Sequence, residues 1–203
     1  MLTPATIKQW FNAIHHRDPT SGEYEKFASY DFGHFINILV NHAPDVLPLR
    51  YPLDGALKLN AGFKSAAYRS EIGIVHYGWD FNTRLDGHAD GIGEPIHAAA
   101  QGIVEEVRYD PGNTYYGAVQ RKSYGNFVRI RHRHNLRTIY GHLSSFGDGK
   151  GLAAGWFVKK GQVIGKSGNS GFSSGAHLHF EVQEKNVLGL WLPVDPKKYL
   201  RLP

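Results

Sequence analysis

No cysteine occurs among the 203 residues, so no disulfide holds this chain together; that suits an envelope or extracellular life without disulfides and a cytosolic one equally. No run approaches 18 consecutive apolar residues, which excludes a transmembrane helix. The opening stretch, MLTPATIKQW, lacks the charged n-region and apolar h-region of a secretory signal. A phage-borne, lysis-released or trimmed-leader origin is therefore expected for any role outside the cell. Internal repeats and low-complexity tracts are also missing, which excludes solenoids and disordered arrays. Charge is not massed anywhere. Lys plus Arg number 23 against 18 Asp plus Glu, a net charge of +5, scattered as RHRH, KK and RK. Such an excess suits an anionic partner, a cell-wall polymer or a nucleic acid, about as well as it suits plain solubility.

What the sequence does contain favours a turn-rich β-protein. Twenty-four glycines and ten prolines punctuate short Val/Ile/Tyr/Phe runs, and the apolar fraction of 41% is enough for a real core. The composition shifts once along the chain. Residues 3–41 read as helical: Thr3 can cap a helix with Pro4 in its first position, and Ile7, Trp10, Phe11 and Ile14 follow at 3.6-residue spacing. After the DPTSG turn a second amphipathic stretch carries Phe32, Phe35, Ile36, Leu39 and Val40. The prolines of NHAPDVLPLRYP end it. From about residue 50 the signals become strands: GIVHYGWDF, IHAAAQGIVEEV, GNFVRIRH, RTIYGHL, GQVIGKSG and AHLHFEV. Two units are thus expected, a helical subdomain at 1–45 and a β-domain at 46–203. The polar, aromatic stretch 109–126 reads as a loop or small hairpin near the working face.

The chemistry gathers in three of these strands. In AHLHF, His177 and His179 are two apart and share one strand face. HYGWD places His76 and Asp80 four apart, again on one face of a strand, and RTIYGHL ends in His142. A lone histidine in such a strand is usually a satisfied core or surface residue, but four histidines and an aspartate in three short strands point to a metal and proton-transfer site. Two nitrogens and one carboxylate, with a fourth position left to water, is the pattern of catalytic zinc.

His76-x-x-x-Asp80, Gly141-His142-Leu143 and His177-Leu178-His179-Phe-Glu resemble the lysostaphin-type peptidases of the M23 family, or LytM domains, zinc endopeptidases that act on peptidoglycan cross-links. GEPIHAAAQGIV, YGNFVRIRH, VKKGQVIGKSGNSG and PVDPKKYL are similar to further segments of that family, in the same order, over roughly residues 50–200. The resemblance implies a curved, mainly antiparallel β-sheet with a groove holding one Zn2+. It assigns His76, Asp80 and His179 as metal ligands and His142 and His177 as the catalytic pair. Which of that pair is the general base is left open by spacing. Peptidoglycan peptide is the implied substrate, the cell envelope or exterior the implied place of action, and a monomer the expected state, with no nucleic acid involved. Tyr68 stands where the family often places an oxyanion donor. Asn60 lies where latent members carry a blocking asparagine, though its neighbours read as the first strand.

Glu181 shares the parity of His177 and His179 and can orient a ligand imidazole, or face solvent. His132 and His134, in RHRH, read as an exposed strand face; His88 and His97 read as loop and strand residues. NSGFSSG, residues 169–175, is expected to wall the groove. Two other classes compete with a peptidase. A binding-only LytM module would have lost a metal ligand, whereas all five groups are present. A nuclease or phosphoesterase would need more carboxylates or a second metal, and no such cluster occurs.

Overall fold

The computed structural model describes residues 20, 21, 25, 49–55, 57–73, 75–84, 89–110, 124–149 and 151–200, with only the backbone given for 68, 71 and 72. The chain separates into two units, Met1–Val46 and Leu47–Pro203. The expected helical hairpin of 1–45 lies outside the described residues, as do most of the 109–126 loop and His88.

Within the second unit the Gly-bounded runs form β1 (Leu59–Ala61), β2 (Trp79–Asn82), β3 (Pro95–His97), β4 (Gly102–Arg108), β5 (Phe127–Arg131), β6 (Leu136–Gly141), β7 (Ser145–Phe146), β8 (Phe157–Val158), β9 (Val163–Lys166), β10 (His177–Lys185) and β11 (Trp191–Val194). One helix, α1 (Ala66–Ile72), and a short 3-10 turn, Pro196–Lys198, accompany them. The larger sheet has the order β1-β2-β10-β6-β5-β4-β8, with β11 also on β10, and the smaller is β3-β9-β7. All of their ladders are antiparallel.

β10 explains how the sheet positions chemistry. Its apolar parity, Leu178, Phe180 and Val182, is fully buried in the core. Phe180 packs there against Phe81 and Tyr140, with ring centroids 6.3 and 5.4 Å away. Each such side chain contributes about 2–3 kcal/mol by leaving water. The opposite parity, His177, His179, Glu181 and Gln183, is buried as well. A central strand with both faces covered, one oily and one polar, puts the chemistry on a rigid floor.

Three local expectations are corrected. IHAAAQGIVEEV is not one strand but two in different sheets, because Ala98, Ala99 and Ala100 sink into the core between them. The Ala98 N–H donates to Gln162 O and the Ala99 N–H to the Tyr140 hydroxyl rather than to a ladder. His132 is not on an exposed face. It is 2% exposed, and its Nδ1 donates to Gln101 O at 2.9 Å while its Nε2 accepts from the Thr138 hydroxyl at 2.7 Å. β5 stops at Arg131, and the turn through His134 and Asn135, both at positive φ, ends the alternation that the sequence implied. Finally, β2 covers only Trp79–Asn82, so His76 is not a strand residue.

Candidate metal centre and active site

Register brings the first donors together. In the β2–β10 ladder Asp80 stands opposite His179, and Asn82 opposite His177. His76 reaches the same point from the irregular segment before β2. The chain passes β10 so closely at Gly78 that a Cβ there would sit 2.6 Å from His179 Cε1 and 2.8 Å from Phe180 O. Only glycine permits this approach. His76 Nε2, Asp80 Oδ1 and His179 Nδ1 then form a triangle with edges of 3.0, 3.1 and 2.9 Å, and all three residues are buried.

The donor chemistry of that triangle calls for a cation. His76 Nδ1 lies 2.9 Å from Gly62 O; a carbonyl only accepts, so Nδ1 carries the proton and Nε2 offers a lone pair. His179 Nε2 lies 3.6 Å from Glu181 Oε2, and Nδ1 is the ring nitrogen that stands in the triangle. Three acceptors within about 3 Å repel one another unless a cation sits among them. Ligands about 2.0 Å from a tetrahedral centre stand roughly 3.3 Å apart, within a few tenths of the observed edges. The same demand appears in the proton equilibria. Burial acts to raise the Asp80 pKa, but the His179 and His76 imidazoles beside it outweigh that and hold the carboxyl far below the usual range. Burial acts to lower His179, yet Asp80 and Glu181 push it up to about 9.

His142 and His177 flank this centre, their ring centroids 4.5 Å apart, with His142 5.9 Å from His179. His142 Nδ1 donates to Ser170 O at 2.7 Å, and His177 Nδ1 to Gly175 O at 2.7 Å. Both Nε2 atoms are thereby set as acceptors. His177 Nε2 is buried without a hydrogen-bond partner, 3.6 Å from Asp80 Oδ1. Burial pulls His142 down to about 3 and lowers His177 as well, so both imidazoles are neutral at pH 7. His142 sits at φ 61°, a left-handed conformation that costs a non-glycine residue about 1 kcal/mol or more. Its backbone N–H to Tyr124 O, at 2.7 Å, holds it there.

Glu181 faces the site rather than solvent. Its Oε2 accepts from the Tyr124 hydroxyl at 2.7 Å, and its Oε1 accepts from Gln183 Nε2, whose amide oxygen in turn accepts from Arg137 Nε at 2.6 Å. Burial acts to raise its pKa, but His179, Gln183 and Tyr124 outweigh it and keep it ionised. Neither Tyr124 nor Gln183 was expected from the sequence. Gln183 continues the His177, His179, Glu181 parity and was there to be read; Tyr124 ends a loop, and no pattern marks it. The Tyr68 backbone lies in α1, and its side chain is outside the described residues. His97 pairs with Asp54 and Gly161 O away from the cluster. Asn60 lies in β1, as its neighbours suggested, and lines a groove with Asp80 and His177.

Comparison with known proteins agrees with this geometry. Residues 75–190 match the family model for peptidase family M23. The chain is 36% identical over 124 residues to the DD-carboxypeptidase/endopeptidase Mpg of Neisseria meningitidis, covering 59% of this chain and 25% of that protein. Its fold is similar to the crystal structure of a zinc-containing peptidase from Vibrio cholerae, with TM-score 0.54 and 32% identity over 78% of this chain and 41% of that one. It is also similar to a catalytic domain of the prophage-encoded M23 protein EnpA of Enterococcus faecalis, with TM-score 0.53 and 26% identity over 72% and 94%. The chain spans about a quarter of the length of the curated relatives it matches.

Proposed function

The chain belongs to peptidase family M23, and from that premise we propose that it is a zinc-dependent endopeptidase that hydrolyses the peptide cross-links of bacterial peptidoglycan, working as a monomer in the cell envelope or outside the cell. One observation carries the reading: three acceptor atoms converge within about 3 Å, beside two imidazoles that burial keeps neutral. Mpg is named as a DD-carboxypeptidase/endopeptidase and ShyA of Vibrio cholerae as a peptidoglycan DD-endopeptidase, which supports peptidoglycan as the substrate.

His76, Asp80 and His179 hold the metal. When bound, zinc supplies Lewis acidity, polarising the scissile carbonyl and making water acidic enough to ionise near neutral pH. With two neutral imidazoles and one carboxylate as ligands the centre keeps a net positive charge, which suits a developing oxyanion. Gly62 O fixes the His76 tautomer, Glu181 places its negative charge beside the far side of the His179 ring, and Tyr124 and Gln183 hold Glu181. His142 and His177, each anchored through Nδ1 to a carbonyl, present Nε2 as proton acceptors; one takes the proton from the attacking water and returns it to the leaving amine. While it holds that proton, the imidazolium also stabilises the tetrahedral oxyanion.

Purified peptidoglycan and defined muropeptide dimers, digested and analysed by mass, provide the test. The expected result is one new amine and carboxylate pair per cut cross-link, abolished by a chelator, restored by zinc, with DNA left intact. A zinc-loaded protein that releases no fragment from any cross-link would overturn the reading in favour of a binding module.

A further inference from the structure

The β2–β10 seam extends past the metal triangle. On its polar face Asp80 stands with His179 and, two residues on, Asn82 with His177. Beyond the strand ends come Arg84 on one side and Gly175 and Ala176 on the other, and a groove of about 320 Å3 runs along this seam with Asp80, Asn82, Arg84 and His177 all in its lining. Arg84 is the cationic residue of that lining. The reacting end is already positive once a metal is held, so an arginine farther along has no role in balancing the cluster.

The Arg84 backbone and stem are built into place. Its N–H donates to the Asn82 side chain at 2.8 Å, which turns the chain out of β2. Its Cγ rests against Gly91, where a Cβ would come within 3.2 Å of it and 3.0 Å of Ala176 Cβ. Gly91, at φ 81°, is pinned by its carbonyl, which accepts from the buried Thr83 and Ser167 hydroxyls, both at 2.7 Å. A long side chain whose root is fixed loses less freedom on binding than one on a mobile loop. Its planar fork fits a carboxylate with two parallel hydrogen bonds.

We propose that Arg84 is a specificity-determining residue that binds a substrate carboxylate a few residues along the groove from the scissile bond. The inference rests on the peptidase reading of the same site and deepens it by naming an acidic peptide as the preferred substrate class. Two residues of strand advance roughly 6.6 Å, so the carboxylate belongs to a residue about two to four positions from the cut. It is either a side-chain carboxylate or a chain terminus.

The test uses the zinc-loaded full chain and three cross-linked stem-peptide dimers: one with free carboxylates, one with side-chain carboxylates amidated, and one with its terminal carboxylates amidated. Binding is measured by calorimetry and cleavage by mass. The native protein should bind the free-acid dimer roughly tenfold more tightly than whichever amidated dimer lacks the recognised group, the scale of a charge-assisted hydrogen bond. Arg84→Gln should lose that preference, with unchanged zinc content and melting temperature and unchanged affinity for the amidated dimer; Arg84→Lys should retain part of it. The loss should fall on KM with kcat nearly constant. Equal binding of all three dimers by the native protein, or an equal drop on all three in Arg84→Gln, would overturn the subsite. Discrimination in binding without cleavage of any dimer would instead count against the peptidase reading and leave the subsite standing.

Discussion

Gly78 has no room for a side chain beside the donor triangle, because a methyl group there would overlap the His179 ring and the Phe180 carbonyl at 2.6–2.8 Å. Backbone is one of the overlapping partners, so side-chain rotation alone gives no relief. Gly78→Ala should therefore lose zinc affinity by tenfold or more, read by competition with a chromophoric chelator, although residue 78 ligates nothing. The two histidines of β10 should fail differently. His179→Ala should lose metal together with activity. His177→Ala and His142→Ala should each keep about one zinc per chain while losing roughly 10²-fold to 10⁴-fold in rate, the usual contribution of a positioned acid or base. Their double variant should be scarcely slower than the poorer single one, since both act on one transition state. Metal analysis beside kcat on peptidoglycan separates these outcomes. Near-normal rates in zinc-loaded single variants would remove the proton-transfer pair.

At the scale of elements, the β5–β6 turn buries a histidine that the chemistry does not use. Burial lowers His132 to about 4, despite the bond to Gln101 O that favours the charged form. The unfolded chain holds that proton up to about 6.5, so between pH 4 and 6.5 the unfolded state binds more protons than the folded one. The stability contribution is thus complete above pH 6.5 and is lost as pH falls toward 4. A shift of about 2.5 units corresponds to about 3 kcal/mol. His132→Gln, which does not titrate, should show a pH dependence of unfolding free energy flatter by about that amount across this window. An identical slope in both proteins would mean that the imidazole charges without leaving its site. Thr138 and Tyr140, whose hydroxyls lie 3.0 Å apart, extend the same buried chain from His132 to the Ala99 N–H.

For the whole molecule, the second unit contains the core cluster and the candidate site residues described above. A fragment of residues 47–203 should therefore fold, bind one zinc and cleave purified peptidoglycan, with any deficit confined to wall targeting. Cleavage assays beside binding to intact walls check this. A fragment that is soluble and zinc-loaded yet inactive would make residues 1–46 part of the site. Metal removal should also lower the melting temperature of the full chain, because a ligand that binds the folded site and not the unfolded chain is lost.

The sequence by itself determined the family and marked the candidate donors. His76, Asp80, His142, His177 and His179 were legible because residue type and spacing carry them, and β10 was legible because a period of two is a local property of the chain. Register and close approach were decided by the tertiary structure. Even spacing was an insufficient reason to join His76 to Asp80: His76 stands outside β2, and its place comes from the Gly78 approach and the Gly62 carbonyl. RHRH read as a solvated strand, yet the turn after Arg131 sends His132 inward, where Gln101 O and Thr138 satisfy both its nitrogens. Tyr124 meets Glu181 across 57 residues of sequence, and Ser170 O and Gly175 O set the tautomers of His142 and His177 from one loop. Backbone carbonyls occur at every residue. No sequence pattern shows which of them will face an imidazole, because that depends on how separate strands are laid side by side.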